Sequence, residues 1–255
     1  MSLKDRLLHF FFPKTCVHCR RDLKPLENGC FCGGCLGRVL PILPLFCRRC
    51  GVPLPHGGAH CPACRGTSKR FQCSLIRAVY PYGEEIQSLL HAMKYRKKRY
   101  LARFMVEAMA SAWERYAELK GCEILVPVPL HPRRRRERGF NQALVLADQL
   151  SPRIMLPARE VLERNRNTRP QWQLDRLERG SNVEGAFSLK PGGALGVKSC
   201  LLIDDLCTTG ATLENCARTL KKAGVRRVHA FVFARQTSGQ GPTNPPGWRA
   251  DADSS

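Results

Sequence analysis

No apolar run in this chain approaches the roughly 18 residues that a membrane-crossing helix needs, so hydropathy gives no spanning segment. The first residues, MSLKDRLLHFFFPKTC, carry only a short apolar stretch with an acidic residue before it. No A-x-A-like cleavage site follows, so a cytoplasmic protein is expected. Acidic side chains are scarce: 21 Asp and Glu stand against 42 Lys and Arg, a net charge of +21. That excess points to polyanionic partners, nucleic acid and phosphorylated small molecules alike, and says nothing about fold. The basic residues concentrate in KYRKKRY (94–100) and RRRRERG (133–139), and nothing resembles a sequence-reading finger or a helix-turn-helix.

Cysteine is abundant. Of fourteen, nine fall within the first 64 residues, and eight of these form the C-x-x-C pairs Cys16/Cys19, Cys32/Cys35, Cys47/Cys50 and Cys61/Cys64. A C-x-x-C turn aims two thiolates at one point, and two such knuckles close a tetrahedral shell about 2.3 Å from zinc. Two sequential four-cysteine sites are the simplest assignment; interleaved bracing and a single occupied site remain open, with Cys30, His18, His56 and His60 as spare ligands. Protein ligands close all four positions in such a site, which gives the metal a folding role. Residues 1–66 are rich in Cys, Gly and Pro and have few periodic apolar positions, so this module needs a metal staple.

The remainder of the 255 residues is long enough for one sizeable core, and the pattern changes at Phe71. CSLIRAVYPY reads as a strand and turn. Ile86, Leu89, Leu90 and Met93, then Leu101, Phe104, Met105, Ala108 and Met109, mark one or two amphipathic helices. EILVPVPL (123–130) is a β-rich run ending in prolines, where a chain leaves a sheet. FNQALVLADQL reads as a helix, and 152–185 as polar with a mobile loop. SCLLID, TLENCARTLKKAG and VRRVHAFVFAR follow as strand, helix and strand, a βαβ unit that predicts a parallel sheet. The Pro/Gly/Ser-rich stretch at 237–255 is expected to be a disordered tail, which leaves 67–236 as the main domain.

The segment CLLIDDLCTTGAT (200–212) sets two carboxylates at a strand end and a small-residue loop before a helix. These are parts for holding a ribose 5-phosphate. Backbone N–H groups at a helix N-terminus favour a phosphate, and the hydroxyls of Thr208, Thr209 and Thr212 add donors. Gly210 permits close approach of the backbone. Asp204 and Asp205 have the chemistry to accept from vicinal ribose hydroxyls and to help fix Mg²⁺. Open α/β sheets bind ligands at the carboxyl ends of their strands, as this placement requires. The plainer reading is a capped helix start with acids favouring the dipole.

LLIDDLCTTGAT resembles the phosphoribosyl pyrophosphate (PRPP) signature of type I phosphoribosyltransferases. VPVPLHPRRRRERGFNQA and LERNRNTRPQWQLDRLERGSNVEGAF, together with the four C-x-x-C pairs, are similar to the ComF family of competence-associated proteins with an N-terminal double zinc ribbon. The resemblance spans nearly all of residues 8–236. It implies an α/β fold: a type I phosphoribosyltransferase-like parallel sheet with flanking helices, preceded by the ribbon module. It also implies that Asp204, Asp205, Thr208, Thr209, Gly210, Ala211 and Thr212 hold ribose phosphate. Pro129 and Leu130 would then begin the loop facing pyrophosphate, with Arg138, Phe140 and Asn141 beside it, and Arg164, Thr168 and Gln171 would belong to a closing segment. Departures are few: Cys207 sits in the variable position, Cys30 is an extra thiol, and Lys97-Lys98 replace a glycine.

Two functions follow from the resemblance. In one, the protein is a phosphoribosyltransferase using PRPP and Mg²⁺, with Arg138 and Arg164 stabilising the departing polyanion and a closing loop excluding water. No residue announces itself as the base, no nucleobase hood is recognisable, and the acceptor is open. In the other, it is a non-catalytic accessory that binds single-stranded DNA during uptake in contact with the uptake machinery, retaining the fold for ligand sensing. Tyr95, Tyr100 and Phe140 beside the basic clusters suit the second.

Overall fold

The computed structural model describes residues 14–24, 27, 30–66, 71–166, 185–193 and 195–237. Helix α1 (Gly33–Leu36) and helix α2 (Pro62–Arg65) are single turns that each follow a cysteine. Strand β1 (Leu75–Pro81) leads to α3 (Glu84–Tyr95), whose first turn holds Glu84 and Glu85 and whose last turn holds Lys94, charges that complement the helix dipole. Lys97 lies in the left-handed region at φ 52°, so the chain breaks here despite the lysines, and one 3₁₀ turn leads into α4 (Ala102–Trp113). Strand β2 (Ile124–Pro127) is followed by α5 (Pro132–Arg138) over the arginine run and by α6 (Gln142–Ile154). Short strands β3 (Leu162–Arg164) and β4 (Phe187–Leu189) pair antiparallel. Strand β5 (Ser199–Cys207), α7 (Ala211–Lys222) and β6 (Arg227–Arg235) complete the described chain.

The main sheet has the order β1-β6-β5-β2, and every pairing is parallel. Each of its strands is nearly continuous in apolar residues, as a sheet covered on both faces requires. Because alternate residues of a strand point to opposite faces, β5 serves two cores. Leu201 and Ile203 pack with Leu89, Met105, Leu146 and Phe233 on the face of α3, α4 and α6. Cys200 and Leu202 pack with Leu213, Cys216, Ala217 and Leu220 of α7 on the other.

Neither outer strand is bare. Along β1, Ile76 N donates to the Arg49 carbonyl and the Val79 carbonyl accepts from Ile42 N, each at 2.8 Å. Along β2, Leu125 N donates to Pro157 O at 2.8 Å and Leu125 O accepts from Arg159 N at 2.9 Å.

The first ribbon is built into the large core: Cys16, Val17, Phe31, Cys32 and Cys35 share it with Ile86 and Leu89, and the Phe31 and Phe104 rings meet edge to face at 5.5 Å. The second forms its own small cluster of Cys47, Cys50, Leu54, Cys61 and Cys64. Among the described residues, no helix is long and apolar enough to cross a membrane. Residues 238–255 of the expected tail lie outside the described residues.

Candidate phosphoribosyl and metal sites

The thiols sort themselves. The Sγ atoms of Cys16, Cys19, Cys32 and Cys35 lie within 4.8 Å of one another, as do those of Cys47, Cys50, Cys61 and Cys64. The sequential pairing is therefore the one the fold adopts. Cys19–Cys32 and Cys50–Cys61 Sγ separations of 3.6 Å match the edge of a tetrahedron with zinc–sulfur bonds of about 2.3 Å. Four thiolates suit zinc, and no ligand position is left open for chemistry. Two spare ligands stay apart from the clusters: His18 Nδ1 hydrogen-bonds Ser88 Oγ at 3.1 Å, and Cys30 is a separate buried thiol whose pKa burial pushes up to about 12, whereas His60 Nδ1 lies 3.9 Å from Cys47 Sγ beside the second cluster.

β5 runs on past the acidic pair to Cys207, so the acids sit within the strand and not at its end. On one side Asp204 and Leu206 remain in register with Val232 and Ala234 of β6. On the other, β2 stops at Pro127, opposite Ile203, and among the described residues no strand pairs with that edge of β5 from Asp204 onward. The second helix after β2, α6, covers one face and the helix after β5, α7, the other, so β2 and β5 form the switch point where parallel sheets open a crevice at their carboxyl ends.

Consecutive strand residues diverge, and the acids do so here. Asp205 is buried and pairs with Lys94 of α3, Nζ to Oδ2 at 2.7 Å. Asp204 keeps some exposure; its Oδ1 accepts from Asp205 N at 2.9 Å, and burial followed by the Asp205 charge pushes its carboxyl up to about 8. A joint grip on one diol, as the sequence suggested, therefore has to draw Asp205 from its lysine.

Cations converge on the same crevice. Burial, and then the Arg138 charge, lower Arg134; burial lowers Arg164, which also lies in the fields of Arg134, Asp204 and Arg138. Arg164 stacks over Phe187 at 5.4 Å and Arg138 over Tyr95 at 5.5 Å. Guanidiniums held where they repel one another favour a polyanion between them. Sequence reasoning named Arg138 and Arg164 and missed Lys94 and Arg134; the missing signal was three-dimensional, since α3 lies far away in the chain.

The loop from Thr208 enters α7 through Gly210, whose φ of 88° is a left-handed conformation that favours glycine. Thr209 Oγ1 accepts from Ala211 N at 3.3 Å, so that amide and hydroxyl serve the turn. Thr212 and Ala211 occupy the first turn of α7, partly exposed. Pro129 is buried and Leu130 half-buried at the exit from β2. Asn141 is committed to the backbone: its Nδ2 donates to Val128 O at 3.0 Å and its Oδ1 caps α6 by accepting from Ala143 N. These two bonds fix the β2 exit beside the proposed loop. Phe140 packs, half-buried, against the large core. Thr168 and Gln171 lie outside the described residues.

Comparison with known proteins agrees with this architecture. The phosphoribosyl transferase domain family model matches residues 141–252 and the double zinc ribbon domain model matches residues 7–65. The chain is 32% identical over 231 residues to competence protein F of Haemophilus influenzae, covering 88% of this chain and 98% of that one. It is 34% identical over 218 residues to competence protein ComFC of Bacillus subtilis, covering 84% and 86% respectively. To the DNA utilization protein YhgH of Escherichia coli it is 27% identical over 227 residues, covering 88% and 97%. With its two thiolate clusters, its parallel sheet and this similarity along most of its length, the chain belongs to the ComF family of competence and DNA-utilization proteins.

Proposed function

We propose that the crevice beyond β2 and β5 binds PRPP, or a related phosphoribosyl ligand, together with Mg²⁺, in the service of DNA uptake or nucleotide-related metabolism. The observation that carries this reading is the meeting of three elements at one switch point: the edge of β5 that β2 leaves at Asp204, the Gly210 loop into α7, and the arginines of α5 and β3. In it the loop and the hydroxyls of Thr208 and Thr212 take the 5-phosphate, as a helix N-terminus favours, and Thr209 donates its O–H while its oxygen keeps the Ala211 amide. Arg134, Arg138 and Arg164 neutralise pyrophosphate, while Asp204 and Asp205 face the ribose and the metal. If the protein transfers the phosphoribosyl group, the C1–oxygen bond breaks with its electron pair leaving on pyrophosphate. An acceptor then bonds to C1 and releases its proton. The reading divides the chain into a ribbon module (1–66) and a phosphoribosyltransferase-like domain (67–236). Eight cysteines gather in the two metal-type clusters and none of the fourteen is joined in a disulfide, which supports a reducing, cytoplasmic location.

Titration calorimetry with PRPP and Mg²⁺ tests it. Wild type is expected to bind, and Arg138→Gln to bind at least tenfold more weakly, as losing a charge-assisted contact predicts. Heat-silent mixing of wild type with millimolar PRPP defeats the reading. Release of pyrophosphate with an added amine or base then distinguishes an enzyme from a sensor.

A second reading, attachment to single-stranded DNA, is favoured by Tyr100, 63% exposed between Arg99 and Arg103, and by the exposed Arg133, Arg135 and Arg136. Binding that weakens steeply with salt and disappears when Arg133, Arg135 and Arg136 become Gln supports it. Binding indifferent to those changes removes it.

A further inference from the structure

Arg235 ends β6 with its side chain buried. Its Nε donates to the Cys50 carbonyl at 3.0 Å, and its Nη1 donates to the Cys207 carbonyl at 2.9 Å and to the Thr208 carbonyl. Cys50 belongs to the second thiolate cluster; Cys207 and Thr208 lead into the Gly210 loop. One rigid guanidinium fork thus spans a metal knuckle and the proposed phosphate loop, with the same Cys207 carbonyl also receiving Gln236 N at 2.9 Å.

The orientation matters as much as the bridge. In a trans peptide the C=O and the following N–H point in opposite directions. Carbonyls of Cys207 and Thr208 turned toward Arg235 therefore aim the N–H groups of Thr208 and Thr209 away from it, the arrangement an anion needs.

A packing route runs beside this one. Gly51 sits at φ +68° so close to β1 that a side-chain carbon on it would lie 2.6 Å from the Ile76 carbonyl. Ile76 N donates to the Arg49 carbonyl at 2.8 Å, and Ile76 Cδ1 reaches the underside of Gly210, 3.7 Å from where a Cβ there would sit.

We propose that Arg235 is a positioning residue through which the second zinc knuckle sets the shape of the phosphate loop, so that metal at Cys47, Cys50, Cys61 and Cys64 governs ligand affinity at a site it does not touch. This rests on the phosphoribosyl reading of the loop for its ligand, and on the contacts above for its mechanism.

The test is a cycle of wild type, Arg235→Gln, Cys64→Ser and the double variant, read by hydrogen exchange of peptides covering 207–213 and by PRPP–Mg²⁺ titration. Zinc analysis is expected to return two ions for Arg235→Gln and one for Cys64→Ser. Each single change is expected to speed loop exchange and to weaken PRPP about tenfold, the loss of one charged hydrogen bond. The double variant is expected to be no worse than either single one, and Arg235→Lys to recover part of the loss. A loop that exchanges at the wild-type rate in Cys64→Ser overturns the proposal, as do single effects that simply add, because a merely structural arginine gives additivity. Cys64→Ser carries the test alone should Arg235→Gln fail to fold. If wild type does not bind PRPP, the function proposed for the loop is lost, while the exchange cycle still decides whether knuckle and loop are coupled.

Discussion

Replacing Asp204 by Asn is expected to stabilise the protein while weakening the proposed phosphoribosyl site. In the folded chain the Asp204 carboxyl is raised from 3.8 to about 8, by burial and then by the charge of Asp205. A group raised on folding binds more protons folded than unfolded between those two values. Stability is therefore lost as pH climbs from about 4 to about 8, and is constant outside that window. At pH 7 the cost has an upper bound of about 4 kcal/mol, from roughly three pH units at 1.36 kcal/mol each. Asparagine removes it and keeps the acceptor for the Asp205 amide, bonded at 2.9 Å. With relaxation absorbing part of the bound, a gain of about 1–2 kcal/mol is expected, a rise in Tm of roughly 2–8 °C for a domain of this size. Thermal melts in magnesium-free buffer at pH 5 and pH 7.5 measure it, and the gain must be larger at pH 7.5. Asp205→Asn supplies the contrast: it strands Lys94, 18% exposed and 2.7 Å from the lost charge, and must lower Tm. An Asp204→Asn variant that melts at or below wild type at both pH values, or gains more in acid, refutes the reasoning.

Three further outcomes follow from the same contacts. Cys35→Ser is expected to lower Tm far more than Cys47→Ser, because the first thiolate cluster is part of the large core and the second is a satellite, although each substitution removes one zinc by metal analysis. His229 is pushed down to about 4 by burial and then by the charges of Arg227 and Arg77, so it contributes stability above pH 6.5 that is lost as pH falls toward 4. That loss has an upper bound of about 3 kcal/mol, and His229→Gln should flatten the fall of Tm over that window. Gly51→Ala places a carbon 2.6 Å from the Ile76 carbonyl whereas Gly57→Ala, also at positive φ, meets open space. Denaturant melts should put the Gly57 change at about 1 kcal/mol and the Gly51 change well beyond it.

Much of this architecture was legible in the residues. The regular C-x-x-C spacing makes sequential pairing the simplest assignment, since adjacent knuckles close a shell with the least chain between them, and the fold adopts it over interleaved bracing. The apolar runs of β5 and β6 flanking the periodic α7 specify a parallel pair directly. What escaped was short or non-local. Strands β3 and β4 span three residues each, too few for alternation to register, and the arginine run reads as charge although its Pro132 start and Gly139 end are those of a helix. The acidic pair was read as a strand end because Asp disfavours sheet interiors; the strand continues because β6 keeps pairing through Arg235. Asn141, placed by the resemblance beside the pyrophosphate-facing loop, also caps a helix, which only the Val128 and Ala143 bonds reveal. Lys94 and Arg235 act across long stretches of sequence and leave no local trace.

The covering of both outer strands bears on how this protein can be handled. With the Ile76 amide and the Val79 carbonyl taken by residues 49 and 42, and Leu125 taken by Pro157 and Arg159, β1 and β2 are guarded along their outer sides among the described residues. A truncation beginning near residue 71, meant to isolate the larger half, strips β1 of its guard and leaves a raw template for self-association. The ribbon segment is thus as much a seam as a module, and the two halves are best expressed as one piece.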